Sequence, residues 1–426
     1  MRCVDRYGLA LTGSAEAVPA YNRGVGALLR VQTGALEGIS ASITRDPTFA
    51  LGHAALALLG HEFCAPVNIP ARLRDAELHA RRGTARERSH VHAVVRHIQG
   101  DSGPLVRHLE QYPRDALLLS IAVPTIAFAG VTTVPEESWA IVERAAPAYG
   151  EDWWFSGLLA FIRQEQRRFD EAMDLSCRSL SEEPAAGHSA HARAHAHYET
   201  GDHEAGLSWL DGWIARTEAR VDNLSHYAWH AALHELSVGD LDAVRRRYRG
   251  QLAPPHVIGF RSLVDAGSLL WRWGLTPGAA DVPDVEEVLR AIDRDTVEHP
   301  PTPFMAMHAA VVLCANDDVD GLRRLAEWSA RREHPVFAGV VAPLAAALRR
   351  LALSEYSIAA DRLAALQGEI WRLGGSDAQR EVVEETRLAA LLRAGRYDDA
   401  RALIDERLDR RHCRRDEWFA AQVSPV

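Results

Sequence analysis

The chain has 426 residues, 47% of them hydrophobic and 25% charged. That length exceeds one ordinary globular core, and that balance of apolar and charged residues argues against disorder. A formal net charge of −10 disfavours generic nucleic-acid binding, which needs a basic face.

Local arginine runs (Arg245, Arg246, Arg247; Arg410, Arg411, Arg414, Arg415) read as solvated helix ends. The five cysteines are far apart and contain no C-x-x-C pair, which fits reduced cytoplasmic thiols and disfavours a thiolate zinc site. The segment MRCVDRYGLALTGSAEAV has no long apolar core, so a soluble, cytoplasmic protein without membrane contact is expected. Arginine far exceeds lysine and alanine is abundant, a composition that suggests a GC-rich bacterial genome.

In chain order, apolar residues recur at three and four spacing throughout, which predicts helices and no sheet. Residues 1–98 read as irregular helices, 99–410 as regular repeats and 411–426 as a tail. Turn signals stand at Gly100-Asp101, Arg167, Gly201-Asp202, Gly239-Asp240, Asn316-Asp317 and Gly395. Two neighbouring intervals are 34 and 38 residues, and the others are near twice that. This is the period of the tetratricopeptide repeat, a helical hairpin that buries its apolar stripe only by stacking. The expected architecture is all-α, with tetratricopeptide-like hairpin repeats forming one right-handed superhelical solenoid over 1–426.

Each glycine turn joins a helix A to a helix B, and helix A lines the concave face of such arrays. Helix A segments are expected at Trp153-Trp154-Phe155, before Gly201, before Gly239, near 260–273, near 303–315 and near 376–392. Polar and aromatic residues that are unusual in helices gather on them. His191 and His195 precede Gly201; His226 and His230 precede Gly239, 35 residues on. A four-residue spacing puts both members of a pair on one helix face. Trp229, Asp265, Trp271, Arg272, His308, Gln379 and Arg380 complete a polar groove suited to a small polar molecule or a peptide.

Several chemistries fit these residues. The four histidines can pack structurally, bind a ligand, or act as acid/base groups in hydrolysis or elimination. Metal binding, zinc with His195 and His230 as ligands, is a further reading, although no H-E-x-x-H motif is present. Arg272 suits a carboxylate or phosphate clamp, or an ion pair with Asp265. Ser376 reads as a helix N-cap, and Arg380 pairs with Asp377 or Glu384 unless an anion takes it. His79, His108, His203 and His412 read as surface or cap residues. Whether the protein is a binding module, an enzyme or a scaffold is left open by these residues.

At the same positions the chain resembles the tetratricopeptide repeat protein 38 family. The resemblance rests on Asp46-Pro47-x-Phe49-Ala50-x-Gly52-His53, Arg86-Glu87-Arg88-x-His90-Val91 and His191-x-x-Ala194-His195. It continues through His226-x-x-Trp229-His230, Ser268-Leu269-Leu270-Trp271-Arg272 and Gly374-Gly375-Ser376-x-Ala378-Gln379-Arg380. It implies a helical-repeat fold over most of the chain. The chain departs from the family pattern at Tyr198, Tyr227, Ala306, Asp377 and Glu381.

Overall fold

Helix follows from alanine- and leucine-rich runs closed by well-formed caps. Thr84 and Glu87 make a reciprocal capping box, as do Ser376 and Gln379, and Asp152, Asp240, Thr302 and Asp318 accept from first-turn amides. The computed structural model describes residues 3–123, 131, 134–217 and 223–423. Among these there is no β-strand, only an isolated bridge between Val4 and Ala10. None of the described helices is long and apolar enough to cross a membrane.

Two compact units are formed, Met1–Arg193 with Thr217–Asp222, and Ala194–Arg216 with Asn223–Val426. The first unit holds α1 (Ala17–Arg30), α2 (Ala35–Arg45), α3 (Ala50–Phe63), α4 (Ile69–Ala80), α5 (Ala85–Ile98), α6 (Gly103–Gln111), α7 (Ala116–Ala122), α8 (Pro135–Tyr149), α9 (Trp153–Glu165) and α10 (Phe169–Glu182). α11 (Gly187–Thr200) runs from the first unit into the second. There follow α12 (His203–Thr217), α13 (Leu224–Val238), α14 (Leu241–Arg247), α15 (Ser268–Leu275), α16 (Glu286–Arg290), α17 (Arg294–Glu298), α18 (Pro303–Ala315) and α19 (Val319–Ala330). The last are α20 (Ala342–Ala352), α21 (Tyr356–Leu366), α22 (Asp377–Arg393), α23 (Tyr397–Arg410) and α24 (Arg414–Gln422).

Consecutive helices pack as hairpins in both units: α1 on α2, α3 on α4, α5 on α6 and α9 on α10 in the first; α18 on α19, α20 on α21 and α22 on α23 in the second. The turns are where the glycine spacing puts them. Gly201, Gly239 and Gly395 have φ of 76°, 81° and 69°, the left-handed geometry glycine adopts without strain. Where the repeat lacks glycine, Arg167, Asp317 and Ser354 adopt the same geometry (φ 59°, 49° and 60°) at a cost of roughly 1–2 kcal/mol each. Ser354, between α20 and α21, is the turn missing from the long interval before Gly395.

The first unit's core is built around Phe49, Leu56, Val94, Leu118 and Trp154. In the second unit the helix A elements pack on one another. α13 meets α15 and the π-helical segment Ser262–Gly267, and α15 meets α18 and α22. α18 is buried all round from Pro303 to Cys314, as expected of a helix with no polar face. His308 sits in the middle of it.

Candidate functional site: a buried histidine cluster in the second unit

α13 presents His226 and, one turn on, Trp229 and His230, all at 2% exposure or less. The His226 ring stacks on the Trp229 ring (5.6 Å, 7°) and meets the His230 ring edge-on at 4.8 Å. His195, from α11, meets His230 edge-on at 4.4 Å. Asp265 comes from Ser262–Gly267, a π-helical stretch that runs directly into α15. Such wide turns offset a helix face and are frequent at functional sites. Its Oδ1 lies 3.0 Å from His226 Nδ1, and its Oδ2 accepts from the Ser225 hydroxyl at 3.1 Å.

Burial sets the charge states. It pushes the His195 imidazole down to about 3, helped by His226 and Arg380. Burial, then the neighbouring His195, His226 and His234, holds His230 well below the usual imidazole range. His226 is also lowered by burial, against the pull of Asp265. Burial pushes the Asp265 carboxyl up, but His226, Arg261 (3.7 Å from Oδ2) and Ser225 outweigh it and keep it below the ordinary carboxylate value. The arrangement is therefore an ionised carboxylate fixing a neutral imidazole through Nδ1, with Nε2 as the basic nitrogen.

His308 differs from these. It is wholly buried, its ring meets Phe304 edge-on at 4.8 Å, and neither ring nitrogen has a hydrogen-bond partner among the described residues. Burial, then the Arg272 charge, pushes it down to about 3.

The other expected site residues serve the protein's own interior. Arg272 pairs with Glu385 at 3.0 Å and donates to the Ala378 carbonyl, and so is not the partner of Asp265. Its guanidinium lies 5.9 Å from the Trp229 ring. Trp271 Nε1 donates to Thr386 Oγ1 at 2.8 Å, and Trp229 Nε1 to Ser268 Oγ at 3.0 Å. Gln379 closes the capping box on Ser376. Arg380 pairs with Asp377 and donates to the Gly374 and Gly375 carbonyls. His191 lies in the first unit, stacked on Phe161 at 5.3 Å. The imidazoles expected on an open groove are thus interior groups.

Two further corrections concern charge. Arg411 and Arg415, read above as solvated, are 7% and 3% exposed, while Arg410 and Arg414 do face solvent. Arg415 shares Glu385 with Arg272 at 2.8 Å; Arg407 pairs with Asp416 and Glu381 at 3.0 Å; Arg411 pairs with Glu199 at 3.1 Å and with Glu381. Arg407 and Arg411 thereby meet Glu381, and Arg272 and Arg415 meet Glu385, both carboxylates of α22, the condition for burying each guanidinium. His108 and His203, read as surface residues, are 1% and 2% exposed.

His108 belongs to a second constellation, in the first unit, that the sequence reading missed. Arg86 Nη1 (2.8 Å), His90 Nδ1 (2.8 Å) and His108 Nε2 (3.1 Å) all meet one oxygen, Oδ2 of Asp115. Burial pushes this carboxyl up, but His90 and His108 hold it well below the ordinary value. A metal ion would have to displace a permanent guanidinium from that oxygen, so the group reads as a clamp joining α5 and α6 to the start of α7. The only sequence signal was Arg86 and His90 one turn apart; Asp115, 25 residues beyond His90, carries none.

No family model matches the chain. A solved structure, the crystal structure of the yeast Tom70, is similar over 94% of this chain and 85% of that chain, at 12% identity and a TM-score of 0.35.

Proposed function

We propose that this helical-repeat protein takes a small polar molecule into the interior of its second unit. His308, His195, His230 and the Asp265–His226 pair would be its polar contacts, and Trp229 its aromatic wall. The observation that carries this reading is His308. A buried imidazole without a partner costs about 1–3 kcal/mol, and a leucine in its place in α18 would cost nothing of that kind. Retaining a donor and an acceptor there is accounted for if a ligand supplies the missing bonds. The burial of every imidazole in the cluster favours a small molecule over a peptide lying in an open groove.

The resemblance to the tetratricopeptide repeat protein 38 family supports a shared constellation, since its motifs coincide with His195, His226, Trp229 and His230. Two of the departures are coupled: the Tyr198 hydroxyl donates to Glu381 at 2.8 Å.

The Asp265–His226 pair favours a second reading of the same cluster, an acid/base enzyme acting on that molecule by hydrolysis or elimination. A carboxylate that fixes Nδ1–H leaves Nε2 as a base, and neutral imidazoles supply the base form at pH 7. Native mass spectrometry of the purified full chain tests the binding reading. It should show an adduct lost on denaturation and absent from the His308→Leu variant; an adduct-free wild type that depletes nothing from a polar-metabolite mixture refutes it. The enzyme reading expects wild type to convert a component of that mixture, and His226→Gln to retain the adduct without converting it. Retained conversion in His226→Gln excludes His226 as the base.

A further inference from the structure

We infer that the first unit carries a divalent-cation site made by His61, Glu62 and His97, separate from the cluster in the second unit. His61 and Glu62 stand in the last turn of α3, and His97 in the last turn of α5. Glu62 Oε1 lies 2.9 Å from His97 Nε2 and 3.6 Å from His61 Nε2, and the three donor atoms all fall within 4.8 Å of one another. In a tetrahedral zinc site with bonds of about 2.0–2.1 Å the ligand atoms stand roughly 3.3–3.4 Å apart. The two separations from Glu62 bracket that value and the third is no more than 4.8 Å, so side-chain rotations alone would bring the three atoms into range.

Three other features point the same way. His97 Nε2–H donates to Glu62 Oε1 at 2.9 Å, and its Nδ1 lies 2.8 Å from Ser102 Oγ; an ion would take the place of the Nε2 proton, with Ser102 as the outer partner that holds the ring. Both helices direct their C-terminal ends here, where the unsatisfied carbonyls favour positive charge. The side chains of Glu62 and His97 are 4% and 6% exposed, while that of His61 is 40% exposed and leaves a path for the ion and for a water as fourth ligand. Among the described residues no arginine or lysine pairs with Glu62, whereas Arg86 occupies the corresponding oxygen of Asp115. Two imidazoles and one carboxylate suit a borderline first-row cation, zinc foremost, rather than calcium or magnesium.

The test is titration of the chelator-stripped full chain with ZnCl2 at pH 7.5, in competition with a chromophoric chelator. One equivalent should bind to wild type, and its affinity should fall at least tenfold in His61→Ala and in Glu62→Gln. His61 is half in solvent, so His61→Ala should keep the wild-type circular dichroism. Cys64→Ser and His195→Ala should bind as wild type does. Wild type that fails to bind zinc at micromolar concentration overturns the inference. So does wild-type affinity in both His61→Ala and Glu62→Gln, or loss of the equivalent in His195→Ala or Cys64→Ser alone.

Discussion

Lowering the pH from 7 to 5 should destabilise the second unit by about 4 kcal/mol. His195 and His308 are pushed by burial to about 3, and His203 to about 4, from 6.5. Above 6.5 these rings are neutral folded and unfolded alike. Below it only the unfolded chain takes up the protons, so stability falls with pH until the folded values are reached. Between pH 7 and 5 each such ring costs about 2 kcal/mol, and the three together about 6. Glu199 opposes them. Burial raises its carboxyl to about 7 against the pull of Arg411, so as pH falls from 7 the folded state takes up a proton that the unfolded chain takes only near 4.5, a gain of roughly 2 kcal/mol by pH 5. The balance is a loss of about 4 kcal/mol, to which the lowered His230 and His234 add in the same direction, against a typical domain stability of about 5–15. Urea unfolding followed by tryptophan fluorescence at pH 7, 6 and 5 measures it. A midpoint that is flat or rises from pH 7 to 5 would refute the assignment of these histidines as buried neutral groups.

Two other changes probe the same interior. His308→Leu should raise the stability of the ligand-free protein at pH 7 by about 1–3 kcal/mol, because it removes two unpaired ring nitrogens at nearly constant volume. It should also flatten the pH dependence by about 1.4 kcal/mol per unit below pH 6, both read from urea midpoints. A loss of stability would mean that His308 already has a partner within the protein. Glu385→Ala should cost about 3–5 kcal/mol, because it leaves Arg272 and Arg415 buried without their carboxylate. A midpoint within 1 kcal/mol of wild type would show that water reaches both guanidinium groups.

The legible parts of the chain were those written in local spacing. Gly201, Gly239 and Gly395 announce their turns, and Ser376 with Gln379 announces the start of α22. The helix A positions derived from those turns coincide with α13, α15, α18 and α22. Within the site, the one-turn spacing of His226 and His230 was readable, and with the repeat offset it brings His195 beside His230. What stayed hidden depends on partners far apart in sequence. Arg411 and Arg415 look like solvent residues until α22 supplies Glu381 and Glu385. Arg272 was matched to Asp265, seven residues away, because its true partner is 113 residues downstream. Asp115 follows Pro113 and Arg114 in what reads as a loop, and only tertiary packing brings it to His90 and His108.

The ionic centre around Glu385 also imposes an order on biosynthesis. Arg415 is made 143 residues after Arg272, whose carbonyl it binds. At about 5–20 residues per second that interval is roughly 7–30 s. For the first 113 of those residues the guanidinium of Arg272 has no Glu385 to pair with. The first unit closes its own clamp, Arg86 to Asp115, over only 29 residues. That clamp can therefore close early in synthesis, whereas the ionic centre of the second unit is complete only once residues 385–416 have been made.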